Sequence, residues 1–150
     1  MFVSRHLFFG IILSALLFIL FPSLGFLPIL IVFLSSVLID TDHYLYYIFI
    51  KKDLSLKNAY LWYMQRWKHF NASPMSERKK CYAGFFMFHG IEWLVILFLM
   101  WNYVSPCFLY VFMGFLFHFC LDTPDEIIKK GTVDKISLIW NYYRFRKLNH

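Results

Sequence analysis

Eight side chains in this sequence can do metal or acid–base chemistry and stand in or beside strongly apolar stretches: His6, Asp40, Asp42, His43, His89, Glu92, His118 and Asp122. An ionisable group in such a stretch costs about 2.5–3.5 kcal/mol on membrane-insertion scales, faces an interior and marks function. Asp40 and His43 are three residues apart, as are His89 and Glu92, while His118 and Asp122 are four apart. On a helix each of these pairs shares one face. Three faces would thus each offer a histidine with a carboxylate, and His6 would add a fourth imidazole. Asp42 falls about 100° around the helix from His43, which puts it behind the ligands unless the helix is distorted there.

Nitrogen and carboxylate donors without thiolate suit Zn²⁺, with Mn²⁺ or Fe²⁺ as alternatives, better than Cu(I) or an iron–sulfur cluster. His6, Asp40, His43, His89, His118 and Asp122 are the expected metal ligands, and Glu92 and Asp42 the expected acid–base residues. So many donors exceed the needs of one zinc with an open position and suit two ions. Their depth points the same way. Each helix contributes a group less than ten residues from the N-terminus or from a basic segment, about 10 Å in at the helical rise. Histidines scattered through a core would not align at one level. His69 and His150 lie in the basic segments and are expected at the surface.

The elements that must hold these groups follow from composition. Apolar residues make up 60% of the 150, aromatic residues 23% and charged residues 16%. A soluble domain has about 45–50% apolar and about 25% charged residues, so the excess points to a membrane. Disorder and a disulfide mini-protein are excluded. Cys81, Cys107 and Cys120 form no disulfide framework and read as small apolar packing residues.

The fifteen Lys and Arg fall in three places: Arg5, the 51–80 segment and the 129–147 segment. The basic-free stretches between them are each long enough to cross a bilayer twice. Breaks at Pro22, Ser23, Gly25 and Pro28, and at Asn102, Ser105 and Pro106, divide them. The expected fold is all-α: one integral membrane four-helix bundle over 1–150, with spans of roughly 2–21, 27–50, 77–104 and 107–128. Basic residues orient it with both termini and the 51–80 segment on the cytoplasmic side of the inner membrane. The start lacks a cleavage site and does not read as a signal peptide.

Leu56, Tyr60, Tyr63 and Trp67 after Ser55, a candidate N-cap, and Val133, Ile136, Trp140 and Tyr143 in the tail, recur at helical spacing beside Lys and Arg. Such helices suit the lipid headgroup layer. Membrane lipids are therefore the expected partners, and nucleic acid is not, because no binding motif accompanies the basic residues.

The residues Asp40-Thr41-Asp42-His43, a histidine in the third apolar stretch, the pattern Gly114-x-x-x-His118-x-x-x-Asp122 and the early His6 together resemble the membrane-bound metal-dependent hydrolases. That family is also described as LexA-binding inner-membrane hydrolases and is distantly like zinc-dependent phospholipase C. The resemblance covers most of residues 6–125. Where the family shows His-Arg-Gly-x-Thr-His-Ser, this chain reads Phe88-His89-Gly90-Ile91-Glu92-Trp93, and Glu92 stands near the second histidine's place.

The resemblance and the aligned donors imply a hydrolase whose metal-activated water attacks a phosphoester or lipid headgroup, with Glu92 or Asp42 as general base. The alternatives are a membrane di-iron oxidase or desaturase, and a membrane protein that binds metal without catalysis.

Overall fold

The computed structural model of the chain describes residues 3–79, 84–133 and 136–148, and every regular element among them is helical. The order is α1 (Val3–Leu20), a 3₁₀ turn (Pro22–Leu24), α2 (Phe26–Leu38), α3 (Thr41–Lys51), α4 (Leu56–Ala72), α5 (Met75–Arg78), α6 (Ile91–Tyr103), α7 (Phe108–Lys130) and α8 (Leu138–Leu148). Pro22 opens the first turn and Gly25, at φ 75°, closes it, as the breakers in the sequence require.

Between α2 and α3 the chain does not leave the helical path. It tightens over one turn, where Asp40 N–H, Asp42 N–H and His43 N–H each donate to the carbonyl three residues back. Side chains three apart come nearly into register on such a 3₁₀ segment. This is the distortion that lets Asp40 and His43 face one way while Asp42 still reaches their neighbours.

The expected third span, 77–104, is not one helix. α5 is a single turn, residues 84–90 are irregular, and α6 covers only Ile91–Tyr103. At about 1.5 Å per residue α6 is about 20 Å long, short of the roughly 30 Å hydrocarbon layer. The cause lies in the 84–90 segment. Gly84 sits at φ 147°, and a Cβ there would lie 2.7 Å from the Tyr46 ring. Phe88 N–H donates to Asp42 Oδ2 and Ile91 N–H to the Ile136 carbonyl, so backbone groups that a helix would satisfy internally bond to other elements.

Among the described residues one stretch, Phe26–Lys51, is long and apolar enough to cross a membrane; the apolar helices Ser4–Leu20 and Ile91–Tyr103 are shorter. α7 has the length, but Asp122, Asp125 and Glu126 sit in its second half.

α1, α2 and α7 pack as the central layer, with α6 against α7. Leu17, Ile29 and Val32 form the apolar core, joined by Leu13, Tyr110 and Met113. α7 approaches α2 through Gly114, where a Cβ would run into Ser35 Oγ and lie 2.6 Å from the Val32 carbonyl oxygen. Elsewhere the usual distribution is inverted. Among the described residues nine polar or charged ones are buried, including His6, Asp40, Asp42, His89, His118, Asp122, Lys130 and Asn141, while Ile19 and Phe26 are 71% and 72% exposed. Cys107 and Cys120 are also exposed and do not pack inside, contrary to the expectation from sequence; Cys81 and His150 lie outside the described residues.

Ser55 caps α4, its Oγ accepting from Asn58 N–H, as the sequence suggested. Lys52 adopts the left-handed conformation that ends α3. Asp53 then ties the corner, accepting from Tyr47 Oη at 2.5 Å, from Ser55 N–H and from Asn58 Nδ2. These bonds, Tyr47's foremost, hold the Asp53 carboxyl below its usual range.

Candidate metal centre

Four segments deliver the site. His6 comes from the first turns of α1, Asp40 and His43 from the tightened turn, His89 from the irregular segment just before α6, and His118 and Asp122 from successive turns of α7. His6, Asp40, His89, His118 and Asp122 are all buried, and His43 is partly so. Two sets of donors converge within 4.8 Å: His6 with His118 and Asp122, and Asp40 with His43 and His89.

The carboxylates link the two sets. Asp122 Oδ1 is 3.0 Å from His6 Nε2, while its Oδ2 is 3.5 Å from His89 Nε2 and 3.6 Å from His118 Nε2. Asp40 Oδ1 is 3.5 Å from His89 Nε2 and 3.7 Å from His118 Nε2, and its Oδ2 is 3.8 Å from His6 Nε2. Most of these separations exceed a hydrogen bond of 2.7–3.2 Å. They do fit donors around one ion, since two atoms each about 2.0–2.1 Å from a tetrahedral zinc lie about 3.3 Å apart. Both Asp40 oxygens, and His6 Nδ1, are buried without a hydrogen-bond partner. Such groups are rare because each forfeits its solvation.

The histidine tautomers sharpen the argument. His89 Nδ1 faces Asp42 Oδ2 at 2.9 Å, and His118 Nδ1 faces the Ser36 carbonyl at 2.8 Å. Carbonyls and ionised carboxylates only accept, so both Nδ1 atoms carry the proton, and each neutral ring turns a bare lone pair outward at Nε2. Those two Nε2 atoms are 3.1 Å apart. Two bare lone pairs repel at that distance, and a proton or a metal ion between them removes the repulsion. The donor set and the orphaned carboxylate together fit a divalent ion.

Asp42 differs in role from Asp40. Its Oδ1 accepts from His43 Nδ1 at 2.8 Å, and its Oδ2 from His89 Nδ1 and Phe88 N–H. It turns two imidazoles so that their Nε2 atoms point into the site. With its oxygens engaged in this way, it is not poised to take a proton from water.

The structure does not bring Glu92 to the histidines. The shared face expected for His89 and Glu92 needs both on a helix, and His89 precedes α6. Glu92 instead accepts from Ser137 Oγ and Leu138 N–H.

A cleft of about 20 Å³, room for a water, opens beside His89, His118 and Asp122, with Thr123, Glu126 and Val133 in its wall. Glu126 was not singled out from the sequence. The available signal was its place four residues after Asp122 on the same helix face. Ser36, whose carbonyl orients His118, gave no such signal, because a backbone acceptor can come from any residue. His69 is exposed on α4.

No protein-family model matches the chain, and neither does any curated protein or solved structure.

Proposed function

We propose that the chain is a membrane-embedded, metal-dependent hydrolase of phosphoesters, with a lipid headgroup as its substrate class. The observation that carries the reading is the buried Asp40 carboxylate, orphaned among His6, His89 and His118. The inverted surface, apolar outside and polar within, supports a lipid environment for helices beyond the single long apolar stretch. Basic and aromatic residues on α4 and α8, among them Lys57, Arg66, Trp67, Trp140 and Arg144, suit the headgroup layer on the cytoplasmic face.

His6, His118 and Asp122 would hold one ion and Asp40, His43 and His89 a second, zinc being the first choice. Bound there, divalent ions would acidify a water and stabilise charge on the phosphoryl oxygens. The chain's own groups do the rest. Asp42 and the Ser36 carbonyl fix the imidazoles, and the apolar wall of the cleft, Phe115 and Phe119 included, limits entry of bulk water. Glu126 borders the cleft and is the proposed base. It takes the proton of the attacking water and returns it to the leaving oxygen as the P–O bond breaks, so that an alcohol and a phosphomonoester result.

Metal analysis of purified protein, followed by a panel of phospholipids and an aryl phosphodiester, tests the reading. Bound zinc with turnover is the expected result. Protein that binds no divalent metal would overturn it.

One observation favours a second reading. The cleft has room for little more than water, which suits a protein that holds metal without turning over a substrate. Stoichiometric metal with no hydrolysis of any phosphoester would select that reading.

A further inference from the structure

Glu92, one of the two expected catalytic residues, is engaged away from the histidines, at the start of α8. Ser137 Oγ donates to it at 2.5 Å, and Leu138 N–H lies 2.9 and 3.0 Å from its two oxygens. One residue earlier, Ile91 N–H donates to the Ile136 carbonyl at 3.0 Å. Gly90 completes the seat: a Cβ there would come within 2.5 Å of Glu92 Oε2, 2.7 Å of Leu138 Cγ and 3.1 Å of Leu138 N. Residues 90–92 thus hold the start of α8 by a charge-assisted anchor and a close fit.

The same short stretch sets His89, one residue upstream. On the site side, Asp42 Oδ2 accepts from both His89 Nδ1 and Phe88 N–H. At the start of α8, Asn141 is 0% exposed, while its neighbours Ile139, Trp140, Tyr142 and Tyr143 are exposed. Arg144 adds a bond to the Lys79 carbonyl. Val133, upstream of α8, lines the cleft beside His89, His118 and Asp122.

We propose that residues 136–138 and α8 form a latch on Glu92, so that seating of the tail and loading of the metal site are linked through His89. The inference rests on the metal reading above. Glu92 is then a positioning residue, acting through the 89–92 backbone. Linkage is reciprocal: whatever factor tail seating adds to metal affinity, metal adds to tail seating.

Zinc titration of the full chain in detergent, paired with amide exchange of residues 136–141 with and without zinc, tests this. Zinc should slow exchange at Leu138. Glu92→Gln and Gly90→Ala should each weaken zinc roughly tenfold, the lower end for residues that orient ligands, and should speed tail exchange. Ser137→Ala should do the same to a smaller degree and serves if the other two fail to fold. Asp53→Asn, which loosens the distant α3–α4 corner, should leave zinc affinity unchanged and so controls for general destabilisation.

Wild-type zinc affinity in folded Glu92→Gln and Gly90→Ala would overturn the latch while leaving the metal site standing. So would tail exchange that ignores zinc in the wild type. A wild type that binds no zinc would overturn both.

Discussion

One face of α7 does two different jobs a few residues apart. At Gly114 it has no side chain, and the backbone of α2 comes so close that a Cβ has no room. One turn on, His118 bonds to the Ser36 carbonyl of that same helix, and another turn on Asp122 meets His6. The first contact is close-packed against the α2 backbone and adjoins the apolar core of Leu17, Ile29 and Val32. The second is polar and incompletely satisfied, with Asp40 lacking any hydrogen-bond partner. Packing at Gly114 sets the distance between α2 and α7, and that distance puts His118 and Asp122 within reach of Asp40. The tight end therefore supports the orphaned one.

Substitutions at the two ends can break this comparison. The largest effect is expected at the polar end. His118→Ala or Asp122→Ala should abolish stoichiometric metal binding, since each removes a donor from a site that few groups define. His69→Ala should bind as wild type does. Metal analysis of the purified variants decides, and equal metal in all of them would show the cluster to be a structural clamp.

Next in size is Glu126→Gln, which should lower hydrolysis by roughly 10²–10⁴-fold with metal retained, the usual contribution of a positioned acid–base group. A fall in metal content with activity would make Glu126 a ligand instead.

Gly114→Ala should follow, costing about 1–3 kcal/mol for overpacking against α2, read as a lower unfolding midpoint. Metal affinity should fall with it, because α2 and α7 must move apart. An unchanged affinity in a destabilised Gly114→Ala would uncouple the two ends.

The smallest effect concerns a region outside both. Asp53's carboxyl is held low in the folded chain by Tyr47, Ser55 and Asn58. Its contribution is present above the unfolded value of about 4 and is lost as pH falls through the lowered folded one. Acid should therefore loosen the α3–α4 corner, and Asp53→Asn should remove that dependence. Fluorescence of Trp62, which packs against Tyr47, reports it.

The donors themselves were legible because they are expensive where they sit: a histidine or aspartate in an apolar stretch stands out, and helical spacing groups it with its partner. The helix boundaries at the turns and the Ser55 cap were legible too, from proline, glycine and serine. The third apolar stretch was not. Its hydropathy runs through 84–90 without a break, yet that backbone bonds to Asp42 and the 91 amide to the tail. Both are tertiary partners that no local pattern reveals. Glu92 was misplaced by the same error, since a shared face was inferred for a helix that starts two residues too late. Gly84 and Gly90 were the available signals, and only Gly84's backbone angle and the crowding at Gly90 show what they were for.

The donors are also spread along the chain in a way that matters for how the protein is made. His6 is synthesised before its partner Asp122, which comes 116 positions later. At about 5–20 residues per second, the interval is on the order of ten seconds. Throughout it, the early histidine and the Asp40 turn exist without the helix that completes them. A nascent chain cannot capture metal in its final arrangement until α7 has been made. On the proposed reading, metal loading is a late event in biogenesis, and until then the half-made protein carries carboxylates that lack their final neighbours.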